Sequence, residues 1–173
     1  MNVVAAFLTQ TTIDVPVTVF RLVLSFVMGA AIGLEREWHR QSAGLRTHIL
    51  ISLGATMLTL LSIYIPQEFT RYQGIDPGRI AAQVISGIGF LGGGAIFRLG
   101  VNVRGLTTAA SIWVVAGIGM LVGAGMYFAS LAGTGLVLLA LIVLVPEGIR
   151  WNGLYEKVGR VSGITHISVD QKV

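Results

Sequence analysis

The sequence predicts an all-α integral membrane protein: a bundle of five transmembrane helices with the N-terminus outside and the C-terminus in the cytoplasm. Three observations carry this. Of 173 residues, 54% are hydrophobic and only 12% charged, about half the charged share of a soluble domain, and mean hydropathy is +0.79. The apolar residues gather into five stretches, each near the roughly 20 residues that a bilayer requires. Lys and Arg are unevenly divided: nine fall in segments on one side, two on the other, and Arg21 lies within a span. Loops rich in Lys and Arg stay in the cytoplasm, which sets the orientation.

Residues 1–14 hold no Lys or Arg and lack the basic start and cleavage site of a secretory signal, so they read as a short extra-cytoplasmic lead-in. The first span covers about 15–34. Pro16 suits a first helical turn, and Gly29 and Gly33 form a GxxxG pair that permits close helix contact. Arg21 sits about two turns inside the span. It either snorkels outward or faces the bundle interior and pairs with a carboxylate. Residues 35–46 read as a charged loop, with Thr47 a candidate cap for a second span over about 48–65. In that span His48, Ser52, Thr56 and Thr59 share one face. The stripe either hydrogen-bonds to neighbouring helices and its own backbone or walls a hydrated cavity.

Asp76 followed by Pro77 is an N-cap and first-turn signal, so a third span is expected over about 77–97. Arg79, Gln83 and Ser86 lie on one face near its start. Asp76 either bridges to Arg79 or helps neutralise Arg21. Gly87, Gly89, Gly92, Gly93 and Gly94 crowd into eight positions. In water each would cost a helix roughly 1 kcal/mol against Ala. In a bilayer the helix is enforced because unpaired backbone groups are intolerable there, and small residues then let helices approach. The leading expectation is that this glycine face is the packing hub of the bundle. The rival is a helix that breaks at Gly92–Gly94 and lines a binding site.

Residues 98–105 read as a tight basic turn. The fourth span, about 106–124, carries a second close-contact pair, Gly119 and Gly123, and the fifth, about 126–145, is uniformly apolar and expected to face lipid. Residues 1–145 thus form the transmembrane domain and 146–173 a short cytoplasmic tail. The tail ends in ITHISVD, whose alternation is that of a strand. A lone strand is unstable, so the tail is expected to need a partner or to open a further domain.

Composition and motifs exclude several functions. With no Cys, disulfides, thiolate catalysis and Cys-ligated metals are ruled out. The sequence pI is ≈ 10.0, but the basic residues are scattered and form no aromatic-interleaved patch, so nucleic acid is not an expected partner. No Walker, HExxH, GxSxG or CxxC motif occurs, and His39, His48 and His166 have no ligand spacing. No enzyme, cofactor or metal site is expected. Glu35 lies where the first span meets the inner interface. It either pairs with Arg46, His48 or Arg98, or joins Glu37 as a minimal carboxylate set for a cation such as Mg²⁺. A weak internal repeat relates spans one and two to spans three and four, each pair joined by a basic loop and a Gly-Leu-Arg-Thr or Gly-Leu-Thr-Thr start. It brings two helix N-termini together near Arg46 and Arg104, either as an anion site or simply as capped helix starts.

The ordered set Gly33-Leu34-Glu35-Arg36-Glu37, Gly44-Leu45-Arg46-Thr47-His48, Asp76-Pro77 with Arg79 to Gln83, Ser86 to Gly92, and Gly105 to Ala110 resembles the MgtC/SapB family of bacterial inner-membrane proteins. The resemblance covers about residues 15–145. It implies a five-helix domain with an outside N-terminus, a link to magnesium limitation, acid stress or survival inside host cells, and modulation of other membrane machinery. Many members carry a cytoplasmic ACT-like domain, and this chain stops near what looks like its first strand, as a short or truncated member. The resemblance gives weight to Arg21, Glu35, Arg46, Thr47, His48, Asp76, Arg79 and Gln83. The function expected is a non-enzymatic regulator in the multi-pass inner membrane, surrounded by lipid, acting on other inner-membrane proteins or on a second copy through glycine faces. The alternative is a small channel or transporter for Mg²⁺ or another cation, formed by an oligomer.

Overall fold

The computed structural model describes residues 14–69, 76, 78–99 and 102–143. The lead-in before residue 14, Arg71 in the second loop, and the tail with its strand-like ending lie outside the described residues. Five helices and one short hairpin follow in order: α1 (Val15–Trp38), α2 (Leu45–Glu68), α3 (Arg79–Gly94), β1 (Phe97–Leu99), β2 (Asn102–Arg104), α4 (Leu106–Gly123) and α5 (Tyr127–Val143). Helices α1, α2 and α4 are long and apolar enough to cross a membrane; α5 is a shorter apolar helix.

Several expected boundaries move. Helix α1 runs through Glu35, Arg36 and Glu37 to Trp38 instead of ending at 34, because Glu35 and Arg36 neutralise each other in its last turn. Helix α2 begins at Leu45, so Thr47 lies within the first turn and is not its cap. The carboxylate of Glu37 takes the Leu45 N–H at 2.8 Å instead. Helix α3 stops at the end of its glycine run, at Gly94 and not at 97. The Asp76 carboxylate accepts the Gly78 N–H at 2.7 Å just ahead of the helix, so it serves the α3 start and not a bridge to Arg79. The expected basic turn is an antiparallel hairpin pairing Phe97 with Arg104. Gly105 closes the hairpin at φ 88, a left-handed angle that favours glycine.

Helix α4 is the centre of the bundle. It touches all four other helices, while α1 and α2 pair along their lengths; α3 rests on α2 and α4, and α5 on α1 and α4. Met28 and Ile32 of α1 meet Val115, Ile118 and Val122 of α4 in one cluster. Ala55 of α2, Ile88 of α3, and Ile112 and Ala116 of α4 form another.

Between membrane helices lipid offers no hydrophobic gain, so close backbone approach and polar contacts drive packing. The glycines show where this happens. A Cβ on Gly29 would fall 2.8 Å from Ser52 Cβ, on Gly33 2.8 Å from Leu45 Cα, and on Gly123 2.8 Å from Thr59 Cβ; on Gly119 it would strike the Ser52 carbonyl. Both GxxxG pairs therefore press α1 and α4 against α2. The α3 run does not act as the hub. Gly87, Gly89, Gly93 and Gly94 have open space where a side chain would be, and Gly92 alone approaches a neighbour, Ala109 of α4. The α3 glycine face is turned outward because Ile88, on the opposite side, is what α4 receives.

Candidate functional site: a closed polar seam

The interior faces of α1, α2 and α4 hold a line of polar side chains from one end of the bundle to the other. At one end Arg21 is buried, 3% exposed. Its Nε donates to the Tyr127 hydroxyl at 3.0 Å and its Nη1 to the Gly123 carbonyl at 2.9 Å. The guanidinium also lies 5.9 Å from the Tyr127 ring centroid. Gly123 ends α4, where backbone carbonyls concentrate partial negative charge, so the cation meets a helix end and an aromatic face. Phe20 holds the Tyr127 ring edge-on at 5.4 Å.

One turn along α1, Ser25 reaches α2. Its hydroxyl is 2.8 Å from that of Ser52, which donates to the Ser25 carbonyl at 3.0 Å. The Thr56 hydroxyl has three acceptors within reach: Ser25 Oγ at 2.7 Å, the Gly119 carbonyl at 2.8 Å and the Ser52 carbonyl at 3.0 Å. One hydroxyl therefore ties α2 to both α1 and α4. Thr59 returns its proton to the Ala55 carbonyl at 2.8 Å.

Next comes His48, with no exposed surface. Its Nδ1 is 2.8 Å from the Gly44 carbonyl, and its Nε2 is 3.0 Å from Ser111 Oγ. A carbonyl only accepts, so Nδ1 carries the proton. The Ser111 hydroxyl is also 2.8 Å from the Thr108 carbonyl, so its single proton is shared between that carbonyl and His48 Nε2. The starts of α2 and α4 are thereby joined, as the internal repeat suggested. The seam closes on Glu35 and Arg36. Arg36 grips the Glu35 carboxylate with two nitrogens, Nη2 at 2.7 Å, and His39 Nδ1 lies 3.0 Å from Glu35 Oε1. Glu35 is thus bound to its own helix, not to Arg46 or His48. Glu37 caps α2, so the two acids do separate work and form no shared cation set.

Of the eight polar positions singled out from sequence, Arg21, Glu35 and His48 enter the seam. Thr47 is half-buried beside it. Arg46, Asp76, Arg79 and Gln83 are exposed, and Gln83 lines a separate groove between α2 and α3. Sequence reasoning missed Ser25 and Tyr127. A signal existed for Ser25: Arg21, Ser25, Gly29 and Gly33 recur every four residues, one face of a helix. None existed for Tyr127, 106 positions from its partner.

The seam is full. Among the described residues no buried side-chain nitrogen or oxygen lacks a hydrogen-bond partner. Among the described residues an apolar groove of about 780 Å³ lies elsewhere, where α3 and α5 leave α4 uncovered. The polar stripe of α2 therefore bonds mainly helix to helix; Thr59 borders the groove, whose lining is otherwise apolar.

The sequence pattern of the MgtC family, described as such, matches residues 22–147. Protein MgtC of Salmonella typhimurium is 46% identical over 136 residues, covering 79% of this chain and 56% of the relative. The Escherichia coli protein named putative magnesium transporter YhiD is 45% identical over 127 residues, 72% of this chain and 59% of the relative. The uncharacterized protein slr0014 of Synechocystis is 40% identical over 129 residues, 75% and 53%. The chain thus spans a little over half the length of these relatives. No solved structure matches it. The matched stretch carries the whole seam except Arg21, one residue ahead of it, and on that footing the chain belongs to the MgtC family of membrane proteins.

Proposed function

We propose that the chain is a magnesium-linked, non-enzymatic regulator that acts by contact with other proteins of the bacterial inner membrane or with a second copy of itself. The observation that carries this is the contrast between the closed seam and the open α3 face. Among the described residues the buried polar groups of the interior already satisfy one another, while Gly87, Gly89 and Gly93 offer a surface on which another helix can lie close. The GxxxG glycines of α1 and α4 are consumed inside the bundle, while α3 carries a cluster of open glycines, Gly87, Gly89, Gly93 and Gly94, for a partner.

In this reading all five helices cross the bilayer, with the N-terminus outside and the basic hairpin in the cytoplasm. Helices α3 and α5 have 16 and 17 residues, about 24 and 26 Å at the usual rise. A span somewhat shorter than the hydrocarbon is accommodated by local thinning.

The competing reading, an oligomeric cation transporter, draws support from the name of the Escherichia coli relative. Proteoliposomes loaded with a Mg²⁺-sensitive dye separate the two. The regulator reading expects no flux above protein-free vesicles, together with a membrane partner or a second copy that co-purifies with the wild type and is lost in Gly89→Leu. Robust Mg²⁺ entry that disappears in Arg21→Met would overturn it.

A further inference from the structure

We propose that the basic end of the bundle holds a binding site for a phosphate-bearing ligand, gripped by Arg40 and Arg104. A pocket of about 490 Å³ opens there between the α1–α2 loop and the hairpin, lined by Arg40, Gln41 and Ser42 on one side and by Arg104 and Thr108 on the other. Its volume falls in the usual range for small-ligand sites, about 300 to 1,000 Å³. It meets the seam at Thr108, and it stands whether the chain regulates or transports.

The charge balance of the pocket points to an anion. The acids nearby are already committed: Glu35 to Arg36 and His39, Glu37 to the Leu45 N–H. Among the described residues no carboxylate pairs with Arg40 or Arg104. Both arginines line this one cavity, and like charges brought together gain from a shared counter-ion. A guanidinium is a planar fork that matches phosphate oxygens two at a time. Gln41, Ser42 and Thr108 supply neutral polar groups beside the forks.

Both arginines are held by backbone, not left on free arms. Arg40 has φ 51, a left-handed angle unusual for a non-glycine residue. Its N–H bonds the Glu37 carbonyl and that of Gln41 the Arg36 carbonyl, each at 3.0 Å. Arg104 is fixed by its hairpin pairing with Phe97. Gly105 follows, so close to the Ala95 carbonyl that a side chain there would collide with it. The end of α3 and the start of α4 are thus pressed together at the base of the hairpin. Phe97 borders it and is exposed, so an apolar flank adjoins the charged pocket. A lipid headgroup and a soluble phosphate share the chemistry that these residues recognise.

The test uses the full chain, purified and delipidated in detergent, with the thermal unfolding midpoint followed by tryptophan fluorescence. The probes are inorganic phosphate and a short-chain phosphatidylglycerol, with a short-chain diacylglycerol as the phosphate-free reference. At least one phosphate probe is expected to raise the midpoint saturably, while diacylglycerol does not. Arg40→Gln and Arg104→Gln should each weaken the apparent affinity about tenfold, with partial recovery in Arg40→Lys. Arg46→Gln, an exposed charge outside the pocket, should leave it unchanged. A response to phosphatidylglycerol alone identifies a headgroup; competition by inorganic phosphate identifies the soluble source. The proposal is overturned if neither probe binds, if the double Gln variant binds like the wild type, or if Arg46→Gln weakens binding as much as the pocket variants do. Unfolding midpoints without probe show whether each variant is folded, and both pocket arginines are exposed positions whose change the fold tolerates.

Discussion

The guanidinium of Arg21 lies 2.9 Å from the carbonyl oxygen of Gly123, tying the first half of α1 to the last residue of α4. A cation this deep in an apolar helix is costly unless it is partnered. Here it meets the negative end of a helix and the hydroxyl of Tyr127, so one side chain joins three helices.

Replacing Arg21 by Met is expected to destabilise the bundle by about 2 kcal/mol or more, because a buried carbonyl and a hydroxyl lose their donor together. Tyr127→Phe removes one neutral bond and should cost about 1 kcal/mol. Arg21→Lys should fall between them, since one ammonium cannot copy a fork that reaches two acceptors. Reversible unfolding in mixed micelles of sodium dodecyl sulfate ranks the three; equal losses for Met and Lys would show that charge is irrelevant and only the fork matters.

The glycines divide into two classes that an alanine scan should separate. Gly119→Ala forces a methyl against the Ser52 carbonyl, where backbone cannot yield cheaply, and should cost about 1 to 3 kcal/mol as overpacking does. Gly87→Ala and Gly89→Ala meet open space and should be neutral, or stabilising by up to about 1 kcal/mol through helix propensity. The same unfolding assay decides. A loss at Gly87 or Gly89 comparable with that at Gly119 would mean that the α3 face is packed within the monomer.

Glu35 and Arg36 are buried neighbours, their side chains 7% and 6% exposed. Glu35→Leu strands a guanidinium and Arg36→Leu strands a carboxylate, and breaking such a pair typically costs about 3 to 5 kcal/mol. The double Leu variant removes both charges and should lie closer to wild type than either single change. A double-mutant cycle measures the coupling; additive losses would show that the two side chains act independently.

The number of helices, their apolar character and their approximate placement were legible because hydropathy over some twenty residues is a local property of the chain. So were the close-contact pairs Gly29–Gly33 and Gly119–Gly123, since four-residue spacing puts both glycines on one face whatever that face meets. Boundaries were less legible. The extension of α1 to Trp38 depends on a charge pair formed within its last turn, and the α2 start on a carboxylate eight residues earlier.

Sequence by itself determined that this chain is a set of apolar helices with small residues in rows and a few polar groups too costly to leave in lipid. Only tertiary structure decided which rows are used. The densest glycine run faces outward, while two sparser pairs carry the packing, because α4 and not α3 occupies the centre. It likewise decided that Arg21 finds Tyr127 and that His48 finds Ser111 across 63 residues. Spacing along a helix says which residues share a face, but the neighbour that the face meets is set by how remote helices fill space together.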